Sequence, residues 1–238
     1  MKNKSTRKVV LSSLTIIVLI AFYKYLFLYL IIADGYTDKR SYFAGDTLKL
    51  YINSRLPFKN ANLSLYTAGW KSVDKITCNL SPQEIRNKDP WENGFGYTCT
   101  HKYIVPALKS GLYTWENRIN FLVKTKEFNK DAIVLHPTNT INAYTESGGR
   151  WAYSPPDDDT AIKFAPLLSF QRPMLGGGFH EQFFNWAENK TDYNLAYISD
   201  PDMENYDNLG SSNILIITGH SEYWTRKARE NFDRYINL

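Results

Sequence analysis

Ile214-Leu-Ile-Ile-Thr-Gly-His-Ser-Glu-Tyr-Trp224 is the stretch on which the reading of the chain turns. It opens as a continuous apolar run, Ile214 to Ile217, the mark of a strand buried on both faces of a parallel sheet. It breaks at Gly219 and presents His220, Glu222, Tyr223 and Trp224 before a helix-like segment from Thr225 to Tyr235. In open α/β sheets the loop at the carboxyl end of a buried strand is where ligands bind. His220 and Glu222 are two apart, so extended backbone points both side chains to one side. An imidazole and a carboxylate aimed at one point suit a metal site or an acid/base pair. They equally suit a strand end followed by a helix start, where a carboxylate complements the dipole.

Working back along the chain, Ala132-Ile-Val-Leu-His136 is a second short apolar run, and Tyr193-Asn-Leu-Ala-Tyr-Ile198 reads as a strand ending at Asp200-Pro-Asp202. Phe179 to Lys190 reads as a helix burying Phe179, Phe183, Trp186 and Ala187. Pro155, Pro156 and Asp157 to Asp159 mark an exposed loop. Strand, long loop, helix, strand, strand, helix is an α/β layout, expected over 131–238. Leu238 falls inside a helix-like run after about three core strands, few for a doubly wound sheet. The α/β domain is therefore expected to be incomplete, or completed by a second copy or another partner.

Before residue 131 the pattern is different. Thr47-Leu-Lys-Leu-Tyr-Ile-Asn53, Ala61-Asn-Leu-Ser-Leu-Tyr66, the segment from Tyr97 to Val105, Gly111 to Trp115 and Arg118 to Lys124 alternate or cluster as short strands between Gly, Pro, Asn and Asp turns. Such spacing predicts a small β-sandwich over 40–126. With 17 Tyr, 13 Phe and 6 Trp the chain has ample material for a core.

Five basic residues (Lys2, Lys4, Arg7, Lys8 and Lys24) and no acid precede Asp34. Setting those five aside, the 28 basic residues of the chain come into near-balance with its 24 acidic ones. The excess of +4 belongs to the N-terminus, and nothing argues for nucleic acid. Val9 to Ile32 is almost wholly apolar and long enough to span a bilayer. With basic residues 1–8 held inside, a transmembrane signal-anchor over 9–32 would place the rest of the chain outside the cytoplasm, as a single-pass membrane protein. A cleaved signal peptide is the alternative. In that setting Cys78 and Cys99 are expected to form a disulfide closing a loop of about 20 residues.

Taken together, His136-Pro-Thr-Asn-Thr-Ile-Asn-Ala-Tyr-Thr-Glu-Ser-Gly-Gly-Arg150, Ser169-Phe-Gln-Arg-Pro173, Asn185-Trp-Ala-Glu188, Tyr197-Ile-Ser-Asp-Pro-Asp202 and Thr218-Gly-His-Ser-Glu-Tyr-Trp224 resemble the large (beta) subunit of N,N-dimethylformamidase and its relatives. The resemblance covers about 40–238. It implies a flavodoxin-like catalytic domain, akin to class I glutamine amidotransferases but without their cysteine nucleophile. It also implies a ferric ion (Fe3+) held by a tyrosine, a histidine and a glutamate, which carry over to Tyr144, His220 and Glu222. Two hard anionic donors with one imidazole suit trivalent iron. The implied activity is iron-dependent hydrolysis of a C–N bond in a small linear amide, the metal polarising the carbonyl and acidifying its water. Arg172, Asn142, Tyr223 and Trp224 are candidates for contact with substrate or support of the ligands. Thr145 stands where relatives commonly carry Asn, and the family's later carboxylate base has no counterpart before Leu238. The competing reading is a non-catalytic envelope or surface binding module with a degenerate enzyme domain.

Overall fold

The computed structural model describes residues 31–127, 129–152, 163–174, 181–190, 192–210 and 212–237. Eight strands come first: β1 (Ile32–Thr37), β2 (Ser41–Tyr42), β3 (Thr47–Ser54), β4 (Phe58–Thr67), β5 (Ser72–Leu80), β6 (His101–Ile104), β7 (Gly111–Trp115) and β8 (Ile119–Val123). They form a three-stranded sheet ordered β1-β3-β6 and a five-stranded sheet ordered β2-β8-β7-β4-β5. The alternation explains the packing. Leu48, Leu50 and Ile52 of β3 and Ala61, Leu63 and Leu65 of β4 turn inward at every second position, each 1 % exposed or less. A Leu or Ile so buried contributes about 1.5–3 kcal/mol. Tyr103 of one sheet meets Trp115 of the other edge-on at 5.0 Å, and its hydroxyl donates to Asp74 at 2.6 Å. A single turn of helix, α1 (Pro90–Asn93), lies in the long connection before β6.

The second part is built on three parallel strands, β9 (Ala132–His136), β12 (Leu195–Ser199) and β13 (Leu215–Ile217), in the order β12-β9-β13. A small parallel pair, β10 (Arg150–Trp151) and β11 (Lys163–Phe164), stands apart. Helix α2 (Thr138–Ala143) follows β9 directly. One face of the sheet packs on Leu112 and Leu122 of the sandwich and on Phe184 of α3 (Glu181–Lys190). The other packs on Met203, Leu209 and Ala228, the last from α4 (Arg226–Ile236). Thr225 caps α4 by accepting the Ala228 N–H at 3.1 Å. Asp202 ties the two parts together. It accepts from Lys124 at 2.5 Å and from Ser41 at 2.9 Å, while its other oxygen accepts from the backbone N–H and hydroxyl of Ser199.

Four expectations need correcting. The apolar run at Ile214 is not the doubly buried strand: β9 is, with all five residues buried, whereas β13 is an edge strand with Ile214 56 % and Ile217 39 % exposed. The helix after residue 180 turns a different face inward. Phe184 and Ala187 are buried, Trp186 is half exposed, and Phe179 lies outside the described residues.

The transmembrane helix, and with it the membrane-anchored, extracytoplasmic placement, is not supported. Among the described residues no helix is long and apolar enough to cross a membrane. The two described residues of the proposed span, Ile31 and Ile32, are buried in the sandwich core, and Ile32 begins β1. Residues 1–30 lie outside the described residues, as does the Asp157 to Asp159 loop.

The disulfide is absent: Cys78 and Cys99 are both free thiols. Cys78 points into the core from β5 of the five-stranded sheet, where burial pushes its thiol up to about 11. Cys99 precedes β6 of the opposite sheet, and its Sγ donates to the His101 carbonyl at 3.4 Å. Their sequence separation fits a closed loop, but β5, which carries Cys78, and β6, which follows Cys99, belong to different sheets.

Candidate active site

The site forms where the chain leaves the carboxyl ends of β9 and β13. After β9, Pro137 opens α2, and Tyr144 ends it with φ −89° and ψ 0°. After β13, Thr218 is pinned to the end of β9, its hydroxyl donating to the Leu135 carbonyl at 2.8 Å. Gly219 then takes φ 59°, a left-handed conformation that L side chains rarely adopt. The turn swings 220–224 across α2. The Glu222 N–H donates to the Thr140 hydroxyl at 2.9 Å and the Asn139 amide donates to the Tyr223 carbonyl at 2.6 Å.

This crossing brings Tyr144 to Glu222. The Tyr144 hydroxyl donates to Glu222 Oε2 at 2.6 Å, across 78 residues of sequence. The other oxygen, Oε1, lies 3.6 Å from His220 Nδ1, beyond a hydrogen bond but in close electrostatic range. A phenol, a carboxylate and an imidazole therefore share one point. The point is open: the side chains of His220 and Glu222 are 80 % and 46 % exposed. Tyr223 stands edge-on to Tyr144 at 6.3 Å, forming one flank.

Trp224 turns the other way. Its ring packs on Phe232 at 5.0 Å and its N–H donates to Ser221 at 2.6 Å and to Asp200 Oδ1 at 3.1 Å. Asn142 is buried behind Tyr144. Arg172 is wholly buried and donates to the carbonyls of Asn142 (2.6 Å), Thr145 (2.9 Å), Ser147 (2.5 Å), Ser169 (3.1 Å) and Arg150 (3.4 Å). Among the described residues it pairs with no carboxylate. It closes the end of α2, where orphan carbonyls attract a cation, and so fixes the backbone that carries Tyr144. Burial lowers its guanidinium to about 10.

Asp200 is the member that sequence reasoning missed. It follows β12, adjacent to β9 in the sheet, and is 1 % exposed. Its Oδ2 accepts the Asn139 N–H at 2.7 Å, and its Oδ1 accepts from Ser221 and Trp224. One carboxylate thus holds both loops that supply the site. Burial raises it to about 6, against the lowering effect of those three hydrogen bonds. The signal was its place just after a strand at the carboxyl edge of the sheet. In the sequence the pair Asp200 and Asp202 reads more readily as a turn with a capping aspartate than as a ligand site; in the structure Ser199 is the cap and Asp202 reaches back to its N–H.

Among the described residues no group of three or more His, Cys, Asp or Glu is gathered to hold a metal ion. The set gathered here among the described residues therefore depends on a tyrosine. The model of the N,N-dimethylformamidase beta subunit-like family, C-terminal part, matches the chain over residues 55–237. The chain belongs to this family. No curated protein matches it. The dimethylformamidase-like match takes in both strands of the site and all of Tyr144, Arg172, Asp200, His220 and Glu222. It also runs through most of the sandwich, so the β-rich part belongs to the dimethylformamidase-like unit.

Proposed function

We propose that the chain is a dimethylformamidase-like hydrolase of C–N bonds in small linear amides, working with a ferric ion held by Tyr144, His220 and Glu222. The observation that carries this reading is the 2.6 Å contact between Tyr144 and Glu222 with His220 on the carboxylate's other oxygen. The donor set fits the ion: two oxygen ligands that carry charge when ionised and one imidazole favour trivalent iron over a softer metal. An ion bound there would polarise an amide carbonyl and lower the pKa of a water. The residues do the rest. The Tyr144 hydroxyl already meets Glu222 Oε2 at 2.6 Å, so the two oxygens that would hold the ion stand together before it binds. Asp200 and Arg172 hold the two loops so that little reorganisation is needed. The ring of Tyr223 offers an apolar flank for a substrate's N-alkyl groups. The exposure of His220 supports a further part of the proposal, that a second copy or another subunit closes over this face.

The test is amine release from N-substituted formamides and acetamides by the iron-loaded full chain, beside Glu222→Gln. Wild type is expected to release amine, and the variant to lose activity by more than about 100-fold, beyond what loss of a supporting contact costs. A folded, iron-loaded protein that releases no amine would overturn the hydrolase reading and favour a non-catalytic binding module.

A further inference from the structure

A second polar site lies away from Tyr144, where the sandwich meets the parallel sheet. A cavity of about 20 Å³ is walled by Arg40, ahead of β2, Arg118, in the β7–β8 turn, and His136 and Ile141, from β9 and α2, with Gly35 and Tyr36 beside them. Arg40 is 7 % exposed. One of its terminal nitrogens donates to the Phe170 carbonyl and its guanidinium lies 5.3 Å from the Phe170 ring. Its Nε is buried without a hydrogen-bond partner among the described residues. Another cation, Arg172, bears on Arg40 electrostatically, and no carboxylate pairs with either among the described residues. Burial first, and then Arg172, hold the Arg40 guanidinium down to about 10.

A buried, uncompensated cation with an idle donor is expensive, and proteins pair such charges. We infer that this cavity is a small-anion site, with Arg40 as its principal donor and a halide-sized ion as its ligand. Size decides the class. One water-sized guest needs roughly 10–15 Å³ on this measure, so a single-atom anion fits and a tetrahedral oxyanion does not. The site spans Arg40 and Arg118 on one side and His136 on the other, so a bound anion would fasten the sandwich to the strand that carries α2. This inference stands apart from the amidase reading and from its metal.

The probe is chloride, exchanged for gluconate at constant ionic strength, with thermal unfolding of the full chain as the readout. The melting temperature is expected to rise saturably with chloride, by roughly 3–5 °C at ten times the half-saturating concentration. Arg40→Gln is expected to abolish the rise. Crystals of wild type grown in bromide provide a second measurement that does not depend on the variant's folding, with anomalous signal expected beside Arg40 Nε. A water in the cavity with no bromide signal, or a chloride response retained in folded Arg40→Gln, would overturn the inference.

Discussion

The carboxylate of Asp200 accepts the hydroxyl of Ser221 at 2.9 Å, and Ser221 stands between His220 and Glu222 in the chain. The same carboxylate holds the first turn of α2 through the Asn139 N–H. The two halves of the candidate site are therefore joined beneath the surface by one buried acid. Replacing it with alanine takes the acceptor from the Asn139 N–H and the Ser221 hydroxyl, and each such loss costs about 1–3 kcal/mol. Asp200→Ala is expected to unfold at clearly lower urea concentration than wild type, and Asp200→Asn, which keeps an acceptor, to fall between them.

Asp200 also links stability to pH. Its carboxyl is raised from 3.8 to about 6 in the folded chain. A raised acid contributes stability that is fully present below the unfolded value and is lost as pH rises through the folded one. The stability of wild type relative to Asp200→Asn is thus expected to fall between pH 4 and about 6.5, by an amount of order 2–3 kcal/mol. Urea unfolding of both proteins across that range measures it. Parallel curves would remove Asp200 as the titrating group.

Arg172 gives a different signature. Its five carbonyl contacts use the planar fork that lysine lacks. Arg172→Lys is expected to lose at least about 2 kcal/mol of stability, since buried carbonyls are left unmet. It should also weaken iron binding, because the end of α2 carries Tyr144. Glu222→Gln separates the two effects. Glu222 is half exposed, so its stability should stay within about 0.5 kcal/mol of wild type while iron is lost.

The thiols are countable. Two free cysteines are expected by thiol titration of the denatured chain without reductant. In the folded chain Cys78 should resist alkylation, its thiol being buried and raised to about 11. Reductant should leave the melting temperature unchanged.

The sandwich was legible because its signal is local: Leu48, Leu50 and Ile52 face the core at every second residue, whatever strand lies beside them. The rank of the parallel strands was not. Ala132–His136 and Ile214–Ile217 are both short apolar runs, and only the order β12-β9-β13 makes the first central and the second an edge. The Tyr144, His220 and Glu222 group was legible through family resemblance, since no spacing in the sequence links residue 144 to residue 222. The carbonyl-binding role of Arg172 and the place of Asp200 escaped for a related reason. Their partners are carbonyls, N–H groups and hydroxyls on distant loops, and such partners leave no mark in residue type.

The most direct test of the central claim is the iron content and visible absorption of the purified full chain, beside Tyr144→Phe. A ferric–phenolate bond absorbs in the visible. The account predicts stoichiometric iron with a visible band in wild type, and loss of that band in the variant. A folded, monodisperse wild type that takes up no iron, or a band that survives Tyr144→Phe, would contradict it.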